Sequence, residues 1–364
     1  MSFKDRSAAF CKRFGIHVPI LLAPMAGASS PSLSIAVINA GGLGGCGALL
    51  MQPEEILKWS ATVRESSSGA FQLNLWIPDP PPARDEHHES TVRSFLRNWG
   101  PEIPADAGDS TPPDFSAQCD ALLEAAPRAI SSVMGLYPPQ YVARMKEREI
   151  PWFAVATTVQ EAKLAEAAGA DVILAQGMEA GGHRGSFEAA SGERNLVGLF
   201  SLIPAIVDAV KVPVVATGGI ADARGVAAAF ALGASAVQIG TGFLRCPEAQ
   251  IHPAWADRIG RTAPEETAVS RVFSGRPGRS ITTEYVRAAT APDAPDPAPY
   301  PVQRGLTAPM RSAAIKNGDV ERMQAWAGQS SALASTMPAG ELIGQLWDQA
   351  RKILGMGAAP SRGQ

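Results

Sequence analysis

Cysteine is scarce in this chain of 364 residues. There are four, Cys11, Cys46, Cys119 and Cys246, and none stands in a Cys-x-x-Cys pair. That scatter argues against a disulfide framework and against a metal site, so no metal is expected. The four read as small core fillers in a reducing compartment. Charge is thin as well. Charged residues make up 18% of the chain and the formal net charge is −3, without the basic face that nucleic-acid binding wants. Nothing in the charge pattern suggests a membrane surface, and no uninterrupted apolar run is long enough to span a bilayer. The opening residues Met1 to Arg6 lack the apolar stretch of a secretory leader. The expectation is a cytoplasmic, soluble protein with no nucleic-acid and no membrane partner. No internal repeat is visible beyond an alternation of strands and helices.

What is abundant is apolar residues, 46% of the chain, ample for a large core. Their dominant pattern is a short run followed by glycine or proline and then an alanine-rich helical stretch. Strands are expected at Ile20–Ala23, Leu43–Cys46, Phe71–Leu75, Ile130–Met134, Trp152–Ala156, Asp171–Ala175, Val212–Ala216 and Ala236–Ile239. Ser30 can cap a helix that begins at Pro31 and runs to Ala40, and Thr158 can cap Val159–Ala168. Further helices are expected at Pro53–Val63, Pro139–Arg148, Leu196–Val210 and Asp222–Leu232. Strands that read as apolar runs rather than alternations are buried on both faces, as parallel sheets require. A doubly wound open sheet is the competing architecture. About eight units, in a class that runs to about 250 residues, favour a closed (β/α)8 TIM barrel.

Two segments interrupt the alternation. Pro78-Asp79-Pro80-Pro81-Pro82 is stiff and extended, and the polar residues that follow, to about Ser116, make a long insertion after the third strand. Barrel enzymes put lids in that place. After Arg245 the texture changes to mixed proline, arginine and acidic residues, and helical patterns return at Met310–Trp326 and Ala339–Ile353. The expected division is a barrel over 1–246, a substrate-covering insert over 247–309, C-terminal helices completing or capping the barrel over 310–354, and a tail over 355–364. The appended C-terminal region is read as mostly helical.

The chemistry-bearing residues gather at strand ends. Ala175-Gln176-Gly177-Met178-Glu179-Ala180-Gly181-Gly182-His183-Arg184-Gly185 follows the sixth strand. Its glycines let backbone approach a flat ligand closely, and a histidine held there can shuttle a proton near neutral pH. Arg184 is expected to point away from its neighbour, and Glu179 to bond loop N–H groups rather than orient His183. The seventh strand ends in Thr217-Gly218-Gly219-Ile220 and the eighth in Gln238-Ile239-Gly240-Thr241-Gly242. In barrels this pair of exits commonly forms a phosphate cradle. No dinucleotide-type Gly-x-Gly-x-x-Gly follows the first strand, so the phosphate need not belong to NAD. Asn74 and Gln176 sit at the same mouth and can hydrogen-bond the edge of a planar heterocycle. Met25, after Ala23-Pro24, can pack under a ring.

Together with Asn39-Ala40-Gly41-Gly42-Leu43-Gly44, Ser274-Gly275-Arg276 and Trp326-Ala327-Gly328-Gln329, these motifs resemble the nitronate monooxygenase family, the 2-nitropropane dioxygenase-like FMN enzymes. The resemblance covers nearly the whole chain in order. It implies FMN at the C-terminal mouth, contacted by Ala23, Pro24, Met25, Asn74, Gln176, Gly181, Gly182, Gly218, Gly219 and the run Gln238, Ile239, Gly240, Thr241. It implies His183 as catalytic base and oxidation of an alkyl nitronate or nitroalkane by O₂ to a carbonyl compound and nitrite. As imidazolium, His183 could equally pair with an anionic nitronate. The family's further tyrosines and lysines after the proline-rich stretch are reduced here to Tyr300 and Arg304, the candidate substrate contacts, with no lysine before Lys316. Related flavin enzymes on the same barrel suggest an alternative, reduction of a quinone or an enoyl thioester by NAD(P)H. A non-catalytic phosphate-binding barrel is a third reading. A homodimer is an open option for assembly.

Overall fold

The computed structural model describes residues 2–109 and 111–356. Strands β1 (Ile20–Leu22), β2 (Gly44–Gly47), β3 (Phe71–Trp76), β4 (Ala129–Val133), β5 (Trp152–Ala156) and β6 (Val172–Gln176) come first in the chain. After a two-residue strand, β7 (Gly182–His183), come β8 (Val214–Thr217) and β9 (Ala236–Ile239). All but β7 form one parallel sheet in the order β1-β9-β8-β6-β5-β4-β3-β2. The two ends of that order meet: Leu22 N–H donates to the Leu43 carbonyl at 2.8 Å, and Leu43 N–H donates to Ile20 at 3.1 Å. This closes a (β/α)8 barrel with its strands buried on both faces.

Local chemistry explains the helices around it. Ser30 Oγ accepts from Leu33 N–H and Pro31 fills the first position of Pro31–Asn39. Thr158 caps Val159–Ala167 and Asp222 caps Ala223–Ala231 in the same way. The last helix, Ala339–Ile353, packs between Pro31–Asn39 and Ala223–Ala231. There Leu342, Ile343 and Leu346 share one apolar cluster with Val37, Ala223 and Val226. The chain therefore leaves the barrel after β9, builds a cap over about 240–338, and returns to complete the helical ring.

The cap draws on two distant segments. The insertion after β3 contains the helix Glu86–Leu96, whose Val92 and Leu96 pack with Val272, Phe273, Tyr285, Val286, Val302, Leu306 and Met310. The cap also holds strands β10 (Thr267–Ser270) and β11 (Gly278–Ile281), which form an antiparallel sheet with β7 in the order β10-β11-β7. The appended region, expected to be mostly helical, thus also carries these two strands. The helix expected over Met310–Trp326 is shorter. It spans Ala308–Asn317 and ends on Gly318 in the left-handed region (φ +67°), and Trp326 instead bridges to Ser280 beside β11. A helix not anticipated, Phe3–Phe14, seats Phe14 on Phe153 near the start of β5, ring centroids 4.9 Å apart. Of the tail expected over 355–364, the part from 357 on lies outside the described residues.

Candidate active site

The strand ends converge on a cavity at the C-terminal mouth of the barrel. Its wall includes Ala23, Pro24 and Met25 after β1, Asn74 and Trp76 of β3, Gln176 of β6, and Gly181, Gly182 and His183 of the next loop. Gly218 and Gly219 after β8, Gln238 of β9, Gly240, Thr241 and, from the cap, Arg304 and Trp326 also line it. Two expected residues stand apart. Ile239 is 1% exposed, with its side chain in the apolar cluster between barrel and helices. Tyr300 lies behind the wall, its ring 5.6 Å from that of Trp76.

The glycine turns lock onto one another. Gly218 and Gly219 have φ of +109° and +66°, and a Cβ on Gly218 would lie 2.9 Å from the Ala180 nitrogen. A Cβ on Gly181 would lie 2.5 Å from the Gly328 nitrogen and 2.8 Å from Thr241 Oγ1. Glycine at these positions lets the loops after β6, β8 and β9 close around a common centre. Gly182 differs: its φ is +77° and nothing lies within 4 Å of its Cβ position, so the cavity is left open there. Thr241 opens a 3₁₀ turn, Thr241–Phe243, whose first N–H groups have no partner within the turn. Glu179 accepts from Leu199 N–H at 2.9 and 3.2 Å and so ties the loop to the start of the helix Leu199–Val207.

Strand β7 aims His183. It pairs antiparallel with β11, with His183 opposite Gly278. The imidazole sits between Trp76 and Trp326, centroids 4.6 and 4.7 Å away, both edge-on. Its Nε2 lies 2.7 Å from Ser274 Oγ, which accepts from Arg276 N–H at 3.3 Å. Desolvation, followed by the guanidiniums of Arg276, Arg304 and Arg311, pushes the imidazole down to about 3. It is neutral at physiological pH.

The cap gives the cavity positive charge. Arg276 is balanced by Asp79 at 3.4 Å. Arg304 and Arg311 form no ion pair among the described residues, and Arg311 donates to neutral acceptors, the Arg304 carbonyl at 2.8 Å and Gln324 Oε1 at 3.2 Å. Arg184 turns away from the cavity. It is 1% exposed and donates to the Gly177 carbonyl at 2.7 Å and to Gln176 Oε1 at 3.2 Å. Gln176 in turn accepts from Gly185 N–H at 2.7 Å and donates to the His183 carbonyl at 3.1 Å, so it braces the histidine loop.

The family profile for nitronate monooxygenase matches residues 8–349. The chain belongs to the nitronate monooxygenase family. It is 36% identical to the nitronate monooxygenase of Paraburkholderia phytofirmans, over 95% of this chain and 96% of that protein. It is 35% identical to a probable nitronate monooxygenase of Staphylococcus saprophyticus, over 93% and 96%. Among solved structures it is similar to the nitroalkane oxidase of Streptomyces ansochromogenes, with TM-score 0.86, 33% identity and coverage of 95% and 99%. FabK from Thermotoga maritima is also similar, with TM-score 0.74, 27% identity and coverage of 95% and 97%. As a member of this family the protein is a flavin-dependent oxidoreductase that oxidises nitronates. No helix among the described residues is long and apolar enough to cross a membrane.

The mouth fits a flavin. Gly182 lines the cavity with nothing within 4 Å of its Cβ position, and the amides of Asn74 and Gln238 in the wall are of the kind that can hydrogen-bond a heterocycle's edge. Sequence reasoning gave no role to several residues that shape this site. Trp76, the last residue of β3, could have been found from its place at a strand end. Ser274 and Trp326 had appeared only as parts of family motifs, and nothing local ties Ser274 to a histidine 91 residues away.

Proposed function

We propose that the mouth holds FMN and that the enzyme oxidises small alkyl nitronates with O₂ to a carbonyl compound and nitrite. The observation that carries this is one cavity, walled by the glycine exits of β6, β8 and β9, that brings Arg304 and the imidazole of His183, flanked by Trp76 and Trp326, to the same mouth. When bound, the flavin supplies the redox chemistry, and the protein supplies position and electrostatics. The phosphate falls to the backbone at Gly218-Gly219 and Gly240-Thr241, the exits of the last two barrel strands. Arg304, in the cavity wall, and Arg311 behind it draw an anionic substrate in.

His183 is the base, and its depressed basicity ranks the substrates. Its free-base form is fully populated at neutral pH, but moving a carbon-bound proton onto an imidazole near 3 is uphill. A nitronate arrives without that proton and needs only the positive field. Neutral nitroalkanes are therefore the slower substrates.

The test pairs oxygen uptake on a panel of alkyl nitronates with an anaerobic incubation with NADPH. The reading predicts nitrite formed with oxygen consumption, and a flavin that stays yellow under NADPH. Rapid bleaching by NADPH with no nitronate turnover would install the reductase alternative instead.

A further inference from the structure

Gln72 lies on β3 two residues before Asn74. It is fully buried (0% exposed) and takes no part in the cavity wall. Its Nε2 donates to the Leu22 carbonyl at 3.1 Å and to Gln238 Oε1 at 2.9 Å. The two ends of a carboxamide have nearly the same shape, so its partners decide which way it faces. A backbone carbonyl can only accept, and Leu22 therefore fixes the nitrogen end of Gln72. The second N–H of that nitrogen then requires the oxygen of Gln238. Gln238 does line the cavity, and with its oxygen engaged it has its N–H donors to offer there. The arrangement leaves Gln72 Oε1 buried with no partner. Such a group is costly, which marks the orientation as imposed from the Leu22 side. Asn74 lacks this kind of anchor: its Nδ2 donates to Ser131 Oγ at 3.0 Å, and a hydroxyl can turn to serve as donor or acceptor.

We propose that Gln72 is a positioning residue that fixes Gln238 as a hydrogen-bond donor toward the bound flavin, so that this part of the ring system is held through an acceptor atom. The proposal rests on the FMN reading above. A donor at a flavin acceptor favours the electron-rich reduced form, so the device acts on the flavin's potential as well as on its retention.

The experiment is FMN titration of apo-protein and measurement of the bound flavin's midpoint potential, on the wild type, Gln72→Met, Gln72→Glu, Gln238→Met and the Gln72→Met/Gln238→Met double variant. Methionine keeps the length and volume of Gln72. Loss of one well-placed hydrogen bond should raise the Kd of Gln72→Met about tenfold and lower the potential. Gln72→Glu should lose more, because Gln238 would turn its N–H toward the new carboxylate and present its oxygen to the flavin. On the Gln238→Met background, Gln72→Met should change the Kd by less than about twofold, the mark of two residues acting as one unit. The proposal is overturned if Gln72→Met and Gln72→Glu bind FMN with wild-type Kd and potential. It is equally overturned if Gln72→Met costs the same with and without Gln238, which a purely structural role would produce. A wild-type protein that takes up no FMN would overturn the cofactor reading, and this proposal with it.

Discussion

His183 shows how desolvation and neighbouring charge together set a residue's chemistry. An imidazole in water titrates near 6.5; here desolvation and three guanidiniums hold it down to about 3. The sign of the consequence is fixed. Between those two values the unfolded chain binds a proton that the folded chain refuses, so stability falls on acidification through this window and its His183 component is fully present above it. Catalysis should show the same displacement. The acid limb of kcat/KM assigned to His183 should lie near about pH 3, leaving the profile flat from about pH 5 to 8. An acid limb at about 6 to 7 that disappears in His183→Asn would show the imidazole to be far more basic than its surroundings imply. Gly218 is the second decisive residue. Valine there must adopt φ near +109° and press on the Ala180 backbone rather than on any ligand. Strain of this kind costs about 1–3 kcal/mol and spreads the loops after β6 and β8. Gly218→Val should emerge from gel filtration with its flavin largely lost; a preparation as yellow as wild type would show that the two turns need not interlock.

At the level of elements, the barrel was legible because most of its parallel strands, buried on both faces, read as short apolar runs, many of them followed by glycine or proline. The expected strands Asp171–Ala175, with its glycine loop, and Val212–Ala216, with Gly218-Gly219, mark the mouth of the barrel. The cap was not legible, for physical reasons. Its core joins Val92 and Leu96 to Leu306 and Met310 across some two hundred residues of chain, a pairing that no local pattern encodes. Strand β7 is two residues long, too short for any periodicity, yet it sets the direction of His183. The helix Phe3–Phe14 did carry signals, a Ser2–Asp5 capping box and a left-handed Gly15 at its end. One prediction belongs here. Glu179 joins the loop that bears Gly181, Gly182 and His183 to the first turn of Leu199–Val207. Glu179→Ala should cost about 1 kcal/mol, as lost caps do, and should speed flavin release measured by dilution. An unchanged Tm together with unchanged release would remove that tie from the account.

The whole molecule divides its work between two layers. The barrel mouth supplies glycine turns and amides that suit a flavin. The cap supplies Trp326, Ser274 and the arginines that surround the imidazole and favour an anion. Because Ala339–Ile353 completes the helical ring only after the cap has been threaded, the two layers are built together, with His183 on the strand that joins them. The most direct test of this arrangement is oxygen uptake by the wild type and His183→Asn, each given nitroethane and, separately, pre-formed ethyl nitronate. The account predicts that FMN stays bound, that nitroethane turnover falls by about 10²-fold or more, the scale of a lost general base, and that nitronate turnover falls far less. Equal losses on both substrates, or no loss on either, would contradict it.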